Sequence, residues 1–378
     1  MKFLHTSDWH LGRSDGDLPL LEDQQYFIDQ ICNVVKERGV DAVIIAGDVY
    51  DRSVASAEAI RLYNRAMTEL CFGCGVTVFM IAGNHDSAER LANLGEFLGR
   101  EGLHIRGELS ENITPIPFGD AEIFMLPWIT EEKVRSVFPE EKERITDLSS
   151  AYAVVTEKMR AQFSQTKKHI LLAHAFVSGA ESSTSDRAAE IGTAPRVAAA
   201  VFDGFDYAAL GHIHGAQSVA DNARYCGTPM PYSFGREEAQ TKGVILFDTE
   251  SMVQEFVPLS LLHPRKTLSG TLEALLNPDC TEEARQGFIR LEVTDSYVGM
   301  ETLSELKQVY PHILELKGLS YEKDDSTVTL SMEKLERMEN DPIEVFRYFC
   351  REEMGVEADE HMAELFALAV RDAEREEA

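Results

Sequence analysis

The run Asp41-Ala-Val-Ile-Ile-Ala-Gly-Asp-Val-Tyr-Asp-Arg52 places three β-branched residues, Val43, Ile44 and Ile45, in an apolar stretch too short for a helix. Such a stretch reads as a strand buried on both faces in a parallel sheet, and Gly47-Asp48 stands where that strand must end. Asp48 is therefore expected as a carboxylate held at the rim of a sheet. Four other short apolar runs end alike: Phe3-Leu4 precedes Asp8 and His10, Val76 to Ile81 precedes Asn84-His85-Asp86, Ile170 to Leu172 precedes His174, and Tyr207 to Leu210 precedes His212 and His214. Ligands of open α/β sheets gather outside the carboxyl ends of the strands, so these five ends are expected to converge on one site.

Outward from that strand, Glu22 to Arg38 carries Phe27, Ile28, Ile31, Val34 and Val35 at helical spacing and stops at Gly39, so the chain opens as a βαβ unit. Ala57 to Leu70 repeats the helical pattern, and Ser87 opens what reads as one further helix with Leu91, Leu94, Phe97 and Leu98 on one face. Prolines break Gly107 to Pro127 into short strands, and a helix over Leu148 to Phe163 leads back to the strand before His174. Ser178 to Ser185, dominated by Gly, Ser and Thr, reads as a mobile surface loop beside the site. Arg224 to Cys226 and Val244 to Phe247 are expected as strands of a second sheet, with the first domain spanning residues 1–265. A cap domain over 266–330 follows, with strands at Phe288 to Val293 and Ile313 to Lys317 around a helix at Glu301 to Val309. Residues 331–378 read as an acidic helical tail. Asp341-Pro342-Ile343-Glu344 is a helix start there, and Ile343, Phe346, Phe349 and Cys350, then Met362, Leu365, Phe366 and Ala369, form two apolar faces with little chain left to cover them. The expected fold class is α/β: two packed sheets flanked by helices, a small βαβ cap domain and a C-terminal helical tail.

A chain of 378 residues, 44% of them hydrophobic, can fill one large core and one or two smaller ones. The N-terminus lacks an apolar run long enough for a signal peptide, and no segment approaches the ~20 apolar residues of a membrane span, so a soluble, cytoplasmic protein with no membrane partner is expected. Cys71-Phe-Gly-Cys74 has no second pair with which to close a zinc site and is read as incidental. A net charge of −29 speaks against a chain that grips nucleic acid by itself, since phosphate binding runs on Lys and Arg. If DNA is the substrate, another subunit supplies most of the basic surface. The chain has no Gly-x-x-x-x-Gly-Lys-[Ser/Thr] loop, so any ATP dependence must also come from a partner.

Asp8, His10, Asp48, Asn84, His85, Asp86, His174, His212 and His214 offer mixed oxygen and nitrogen donors, which suit manganese, iron or zinc better than magnesium or calcium. They are more groups than one ion needs. Two ions a few Å apart share a ligand, and Asp48, with two oxygens on a rigid strand end, suits that role. A pair of cations can bind both non-bridging oxygens of a phosphate, lower the pKa of a water between them and set it in line with the leaving oxygen, so phosphoester hydrolysis is the implied reaction. His5, His104, His169, His263, His312 and His361 stand outside the pattern and read as surface or packing residues.

In order, Asp8-x-His10, Gly47-Asp48, Gly83-Asn84-His85-Asp86, His174 and Gly211-His212-x-His214 resemble the signature of the calcineurin-like metallophosphoesterases. Within that superfamily, Ser7 to Gly12, Gly47 to Asp51 and Leu210 to His214 resemble the DNA double-strand-break repair nucleases, and the likeness runs on through Ser178 to Ser185, Tyr225 to Pro229, Ser233-Phe234, the cap and the tail. The resemblance implies that Asp8, His10, Asp48 and His214 hold one manganese ion and that Asp48, Asn84, His174 and His212 hold a second, with magnesium as the substitute. It implies that His85 is no ligand but stabilises the transition state or protonates the leaving 3′ oxygen, and that Asp51 orients it. It further implies a complex with an SbcC-type ATPase subunit carrying a coiled coil, two copies of each, with the tail on the base of the coiled coil. The activity implied is ATP-dependent 3′–5′ exonuclease action on double-stranded DNA ends and endonuclease action on hairpins and single-stranded DNA, in DNA repair, recombination and replication. A phosphomonoesterase or nucleotide phosphodiesterase of the same superfamily is the alternative; Arg52 favours it, and the cap and tail count against it.

Overall fold

Every residue of the strand Ala42–Ala46 is buried, because helices cover one face of its sheet and a second sheet covers the other. The computed structural model describes residues 1–15, 18–183, 185, 196–277, 286–295, 300–318, 346–347, 350, 362–363 and 365–367. Ala42–Ala46 lies inside a six-stranded sheet of spatial order Gln254–Pro258, Gly243–Asp248, Lys2–Thr6, Ala42–Ala46, Thr77–Ile81, Leu103–Arg106. The last four strands run parallel. The second six-stranded sheet has the order Gln217–Ala220, Ala223–Tyr225, Tyr207–Gly211, Lys168–His174, Ala121–Leu126, Ile116–Phe118, with the four inner strands parallel.

Phe3, Ile44, Phe79 and Phe247 of the first sheet meet Ile123, Ile170, Leu172 and Tyr207 of the second in one apolar layer. On the far side of the first sheet, Tyr63 of the helix Ala57–Thr68 reaches the Met80 sulfur, and Phe27 of the helix Leu21–Arg38 packs on Trp9. Leu148–Arg160 covers the second sheet with Tyr152, Val155 and Met159 against Phe124, Leu171 and Leu210. Its start is a capping box in which Asp147 and Ser150 satisfy each other's backbone N–H groups.

Three expectations change. Val244 to Phe247 belongs to the first sheet, not the second: Gly243–Asp248 runs antiparallel beside Lys2–Thr6, with Leu4 opposite Leu246. The apolar pattern marks a strand but does not say which sheet edge needs it. The single helix expected from Ser87 is broken into Ala88–Leu91 and Gly95–Leu98 by Leu94 at φ 59°. Gly95 and Gly99 weaken a continuous helix, and the chain must turn there to enter Leu103–Arg106. As a result Leu94 and Phe97 are 67% and 63% exposed, not core residues. Finally, the loop after His174 is tied down rather than free: Ser178 N donates to Val197 O at 2.8 Å and Glu181 N to Gln217 Oε1 at 2.8 Å.

Contacts divide the chain into two units, residues 1–267 with 280–290, and residues 268–279 with 291–378. A three-stranded sheet has the order Arg265–Gly270, Phe288–Val293, Ile313–Gly318; its first strand was not legible in the sequence because it alternates poorly. Within the second unit the helices Leu272–Leu276 and Met300–Val309 bury Leu275 and Leu306, and the Tyr310 hydroxyl donates to Leu275 O at 3.0 Å. In the tail, Phe346 and Phe366 stack with ring centroids 4.4 Å apart, so these two apolar residues cover each other. The helix start at Asp341, with Ile343, Phe349 and Ala369, lies outside the described residues.

Candidate active site

Lys2–Thr6, Ala42–Ala46 and Thr77–Ile81 end at one edge of the first sheet, and Lys168–His174 and Tyr207–Gly211 end beside them in the second. The two edges are joined by His174 Nδ1, which donates to Ala46 O at 2.8 Å. Each chain turns sharply as it leaves its strand. Among the described residues six non-glycines have positive φ, and four of them are Asp8 (53°), His10 (45°), Asp48 (49°) and His212 (102°). Left-handed backbone costs an L-residue about 1–2 kcal/mol, and such strain persists only where the surroundings over-determine it. Here Asp8 N donates to Gly47 O and His10 N to Asp48 O, each at 3.0 Å. Two glycines make the approach close enough: a Cβ at Gly47 would lie 2.3 Å from His174 Nδ1, and one at Gly83 would lie 2.1 Å from Asp48 Oδ1.

Two donor clusters result, and Asp48 stands between them. In the first, Asp8, His10 and His214 gather, with His10 Nε2 3.2 Å from His214 Nε2 and 3.8 Å from Asp48 Oδ2. In the second, His174 Nε2 lies 3.4 Å from Asp48 Oδ2 and 3.0 Å from Asn84 Oδ1, which is also 3.0 Å from His212 Nδ1. Asp48 Oδ1 is occupied by His85 N at 2.9 Å, which leaves Oδ2 as the oxygen facing both clusters. Asp8 accepts from His212 N through both oxygens, at 3.0 and 3.1 Å, so the two clusters are braced by backbone as well.

Burial raises the Asp8 carboxyl to about 6 and lowers His212 to about 3. Burial also drives His10 well below the usual histidine range, which favours the neutral imidazole that binds metal. Between Asp48 and His174 burial opposes both charges but is outweighed by their attraction: Asp48 is held well below the carboxylate range and His174 is raised to about 9.

His85 and Asp51 stand half-buried at the mouth of this cluster. The His85 ring lies 4.7 Å from that of His10, and its Nδ1 donates to the Asp51 main-chain carbonyl at 2.8 Å. Asp51 thus meets His85 through its main-chain carbonyl and not through its carboxylate. That carboxylate faces His10 Nδ1 at 3.7 Å, Arg13 at 3.8 Å and Arg52 at 3.6 Å.

Residues 1–216 match the calcineurin-like phosphoesterase family, and residues 261–354 match the family described as the type 5 capsule protein repressor C-terminal domain. The SbcD subunit of the nuclease SbcCD of Staphylococcus epidermidis is 31% identical over 338 residues, which cover 88% of this chain and 90% of that protein. The chain belongs to the SbcD nuclease subunits of the calcineurin-like phosphoesterase family. Among solved structures, a novel archaeal phosphodiesterase is 14% identical, covers 68% of this chain and 100% of its own, and has a TM-score of 0.33. A dimetal phosphatase from Danio rerio is 14% identical, covers 65% and 91%, and has a TM-score of 0.37.

The donors of this SbcD-type chain fit divalent metal. Two carboxylates, four imidazoles and an amide oxygen meet in overlapping clusters, and the buried His10 Nδ1 has no hydrogen-bond partner among the described residues. The structure gives Asp86, one of the donors offered by the sequence, a supporting role, and adds supporting residues that the sequence did not mark. Asp86 accepts from Val49 N, Tyr50 N and Gly83 N at 3.1, 2.9 and 2.9 Å, clasping the loop of Asp48 to that of Asn84. Glu237, fully buried, contacts Ser185, which lies 2.5 Å from His214 Nδ1. Tyr232 closes over His10 with its hydroxyl on Trp9 O, and Trp128 stacks on His212 at 5.3 Å. Only Asp86 carried a local signal, as part of Gly83-Asn84-His85-Asp86; Glu237 and Tyr232 reach the site from a distant loop.

Proposed function

We propose that this chain is the nuclease subunit of an SbcCD-type complex, hydrolysing DNA phosphodiester bonds at two divalent metal positions. The observation that carries the proposal is the pair of donor clusters sharing Asp48 Oδ2, 3.8 Å from His10 Nε2 and 3.4 Å from His174 Nε2. Asp8, His10, Asp48 and His214 would hold one ion, and Asp48, Asn84, His174 and His212 the other. The donor set suits manganese, iron or zinc, and of these manganese is the ion that the family resemblance implies, with magnesium as substitute. When bound, the cations would neutralise phosphate charge and lower the pKa of water. The chain's own residues do the rest. Asp48 is fixed by His85 N, which leaves Oδ2 facing both clusters, so this carboxylate would serve both positions. His85 carries its proton on Nδ1, since the Asp51 carbonyl can only accept, and its Nε2 is left to meet the leaving 3′ oxygen, as an acid when the ring is protonated.

The partner set comes from the SbcD relationship, and charge and surface support it. A chain of net charge −29 needs a basic partner on DNA, and an SbcC-type ATPase with a coiled coil supplies it. The complex acts as an ATP-dependent 3′–5′ exonuclease on double-stranded DNA ends and as an endonuclease on hairpins and single-stranded DNA, in DNA repair, recombination and replication. Two copies of each subunit make a heterotetramer, consistent with the exposed apolar Leu94 and Phe97. The tail docks on the ATPase as a unit, held by the Phe346 and Phe366 stack, with Leu365 still 54% exposed.

A phosphomonoesterase reading is favoured by one feature, Arg52, whose side chain is 81% exposed beside Asp51 and free to meet a terminal phosphate. The test is to incubate the full chain with linear duplex, hairpin and single-stranded DNA under manganese, with and without the ATPase subunit. The nuclease reading expects single-strand and hairpin cleavage by the chain and ATP-dependent duplex degradation only with the partner. Hydrolysis of small phosphomonoesters with no cleavage of any DNA overturns it.

A further inference from the structure

Behind His214, on the side away from His10, lies a polar relay, half-buried at Ser185 and buried at Glu237 and Lys242, that no part of the proposed reaction uses. Ser185 Oγ contacts both His214 Nδ1, at 2.5 Å, and Glu237 Oε1. A carboxylate can only accept, so the single hydroxyl proton of Ser185 points to Glu237, and the hydroxyl oxygen then accepts from His214 Nδ1–H. His214 is thereby held as the Nδ1–H tautomer. Its Nε2 then presents a lone pair to the cluster, 3.2 Å from His10 Nε2. His174 is held in the same sense by the Ala46 carbonyl at 2.8 Å; His214 is held by a hydroxyl that is itself bonded to a carboxylate.

Glu237 is itself fixed by more contacts than loop closure needs. Its Oε1 also accepts from Ser183 Oγ at 3.0 Å and Ser233 Oγ at 2.7 Å, and its Oε2 from Tyr232 N at 3.0 Å and Lys242 Nζ at 2.9 Å. Lys242, almost fully buried, also donates to His214 O at 2.9 Å and Thr228 Oγ1 at 3.0 Å. The ion pair thus grips His214 twice, the ring through Ser185 and the main chain through Lys242. A buried ion pair is weak evidence for stability, because desolvation offsets the attraction. Its placement against one histidine points instead to orientation, since a carboxylate behind a ligating imidazole fixes the ring and makes it a better donor.

We propose that Glu237, acting through the Ser185 hydroxyl and held by Lys242, is a positioning residue that sets the tautomer and metal affinity of His214. The proposal rests on the divalent-metal reading above. If Glu237 only tied down its own loop, Ser185, which sits in a different segment, would be dispensable for metal binding.

Two measurements on the full chain separate these roles. In metal-free protein labelled with ¹⁵N-histidine, long-range ¹H–¹⁵N spectra should show His214 as Nδ1–H, mixed tautomers in Ser185→Ala and Glu237→Gln, and recovery in Ser185→Thr. Manganese calorimetry should show one of two sites weakened about 10- to 100-fold in Ser185→Ala and Glu237→Gln, with the other unchanged. Glu237→Gln leaves Lys242 buried beside a neutral amide and can misfold, so Ser185→Ala carries the decision. A wild-type His214 in the Nε2–H form, or two manganese ions bound by Ser185→Ala at wild-type affinity, overturns the relay. Wild-type protein that takes up no manganese sinks the metal reading instead, and the histidine spectrum judges the relay independently of it.

Discussion

Replacing Asp86 by alanine tests whether the two ligand loops are held by one side chain. The carboxylate receives three backbone N–H groups, two from the loop after Asp48 and one from Gly83 beside Asn84. A hydrogen bond to a charged acceptor is worth about 1.5–3 kcal/mol, and because these bonds are only part-buried the lower end applies, giving about 4.5 kcal/mol for the three. In a domain of this size that corresponds to a melting temperature roughly 8–12 °C lower. The loss falls on the loops that bring Asp48 and Asn84 together, so metal uptake should weaken with it. Asp86→Asn keeps one acceptor oxygen and should lose less than half as much. Thermal unfolding of metal-free protein, followed by manganese titration and a single-strand cleavage assay, provides the readouts. An Asp86→Ala protein that melts within 2 °C of wild type, a margin of about 1 kcal/mol, and cleaves at the wild-type rate would refute the clasp.

Asp48→Asn should abolish cleavage and lower bound metal at both positions, because an amide serves two cations poorly; elemental analysis showing two retained ions with normal turnover contradicts the shared-ligand assignment. His85→Ala should keep metal and DNA binding but slow turnover by roughly 10²- to 10⁴-fold, and loss of manganese in this variant would make His85 a ligand instead. Asp51→Asn leaves the main-chain bond to His85 in place and should slow turnover less than His85→Ala does; equal losses would return the orienting role to the carboxylate. Phe97→Asp should reduce self-association in sedimentation while sparing single-strand cleavage, and an unchanged oligomeric state would remove that face from the assembly.

The sequence alone determined the parallel strands, their order of appearance and the donors at their ends, because each donor follows its strand directly and a buried parallel strand is apolar throughout. It also determined the metal-dependent phosphoester chemistry, since so many donors at strand ends have one economical use. What only the tertiary structure decided depends on contacts between distant residues. His174 and His212 stand in the second sheet, and the bond that joins His174 to Ala46 spans 128 positions. Gly243–Asp248 pairs with the N-terminal strand, where an open edge awaited it. Leu94 and Phe97, apolar at helical spacing, turned outward because the chain had to bend, a requirement set by the next strand and invisible in periodicity. That Asp51 meets His85 through its carbonyl was likewise left to the fold, since a residue's identity does not say which of its atoms a neighbour meets. Glu237 and Lys242 read as ordinary charges in an acidic chain, and only the folding of their loop behind His214 made them a buried pair.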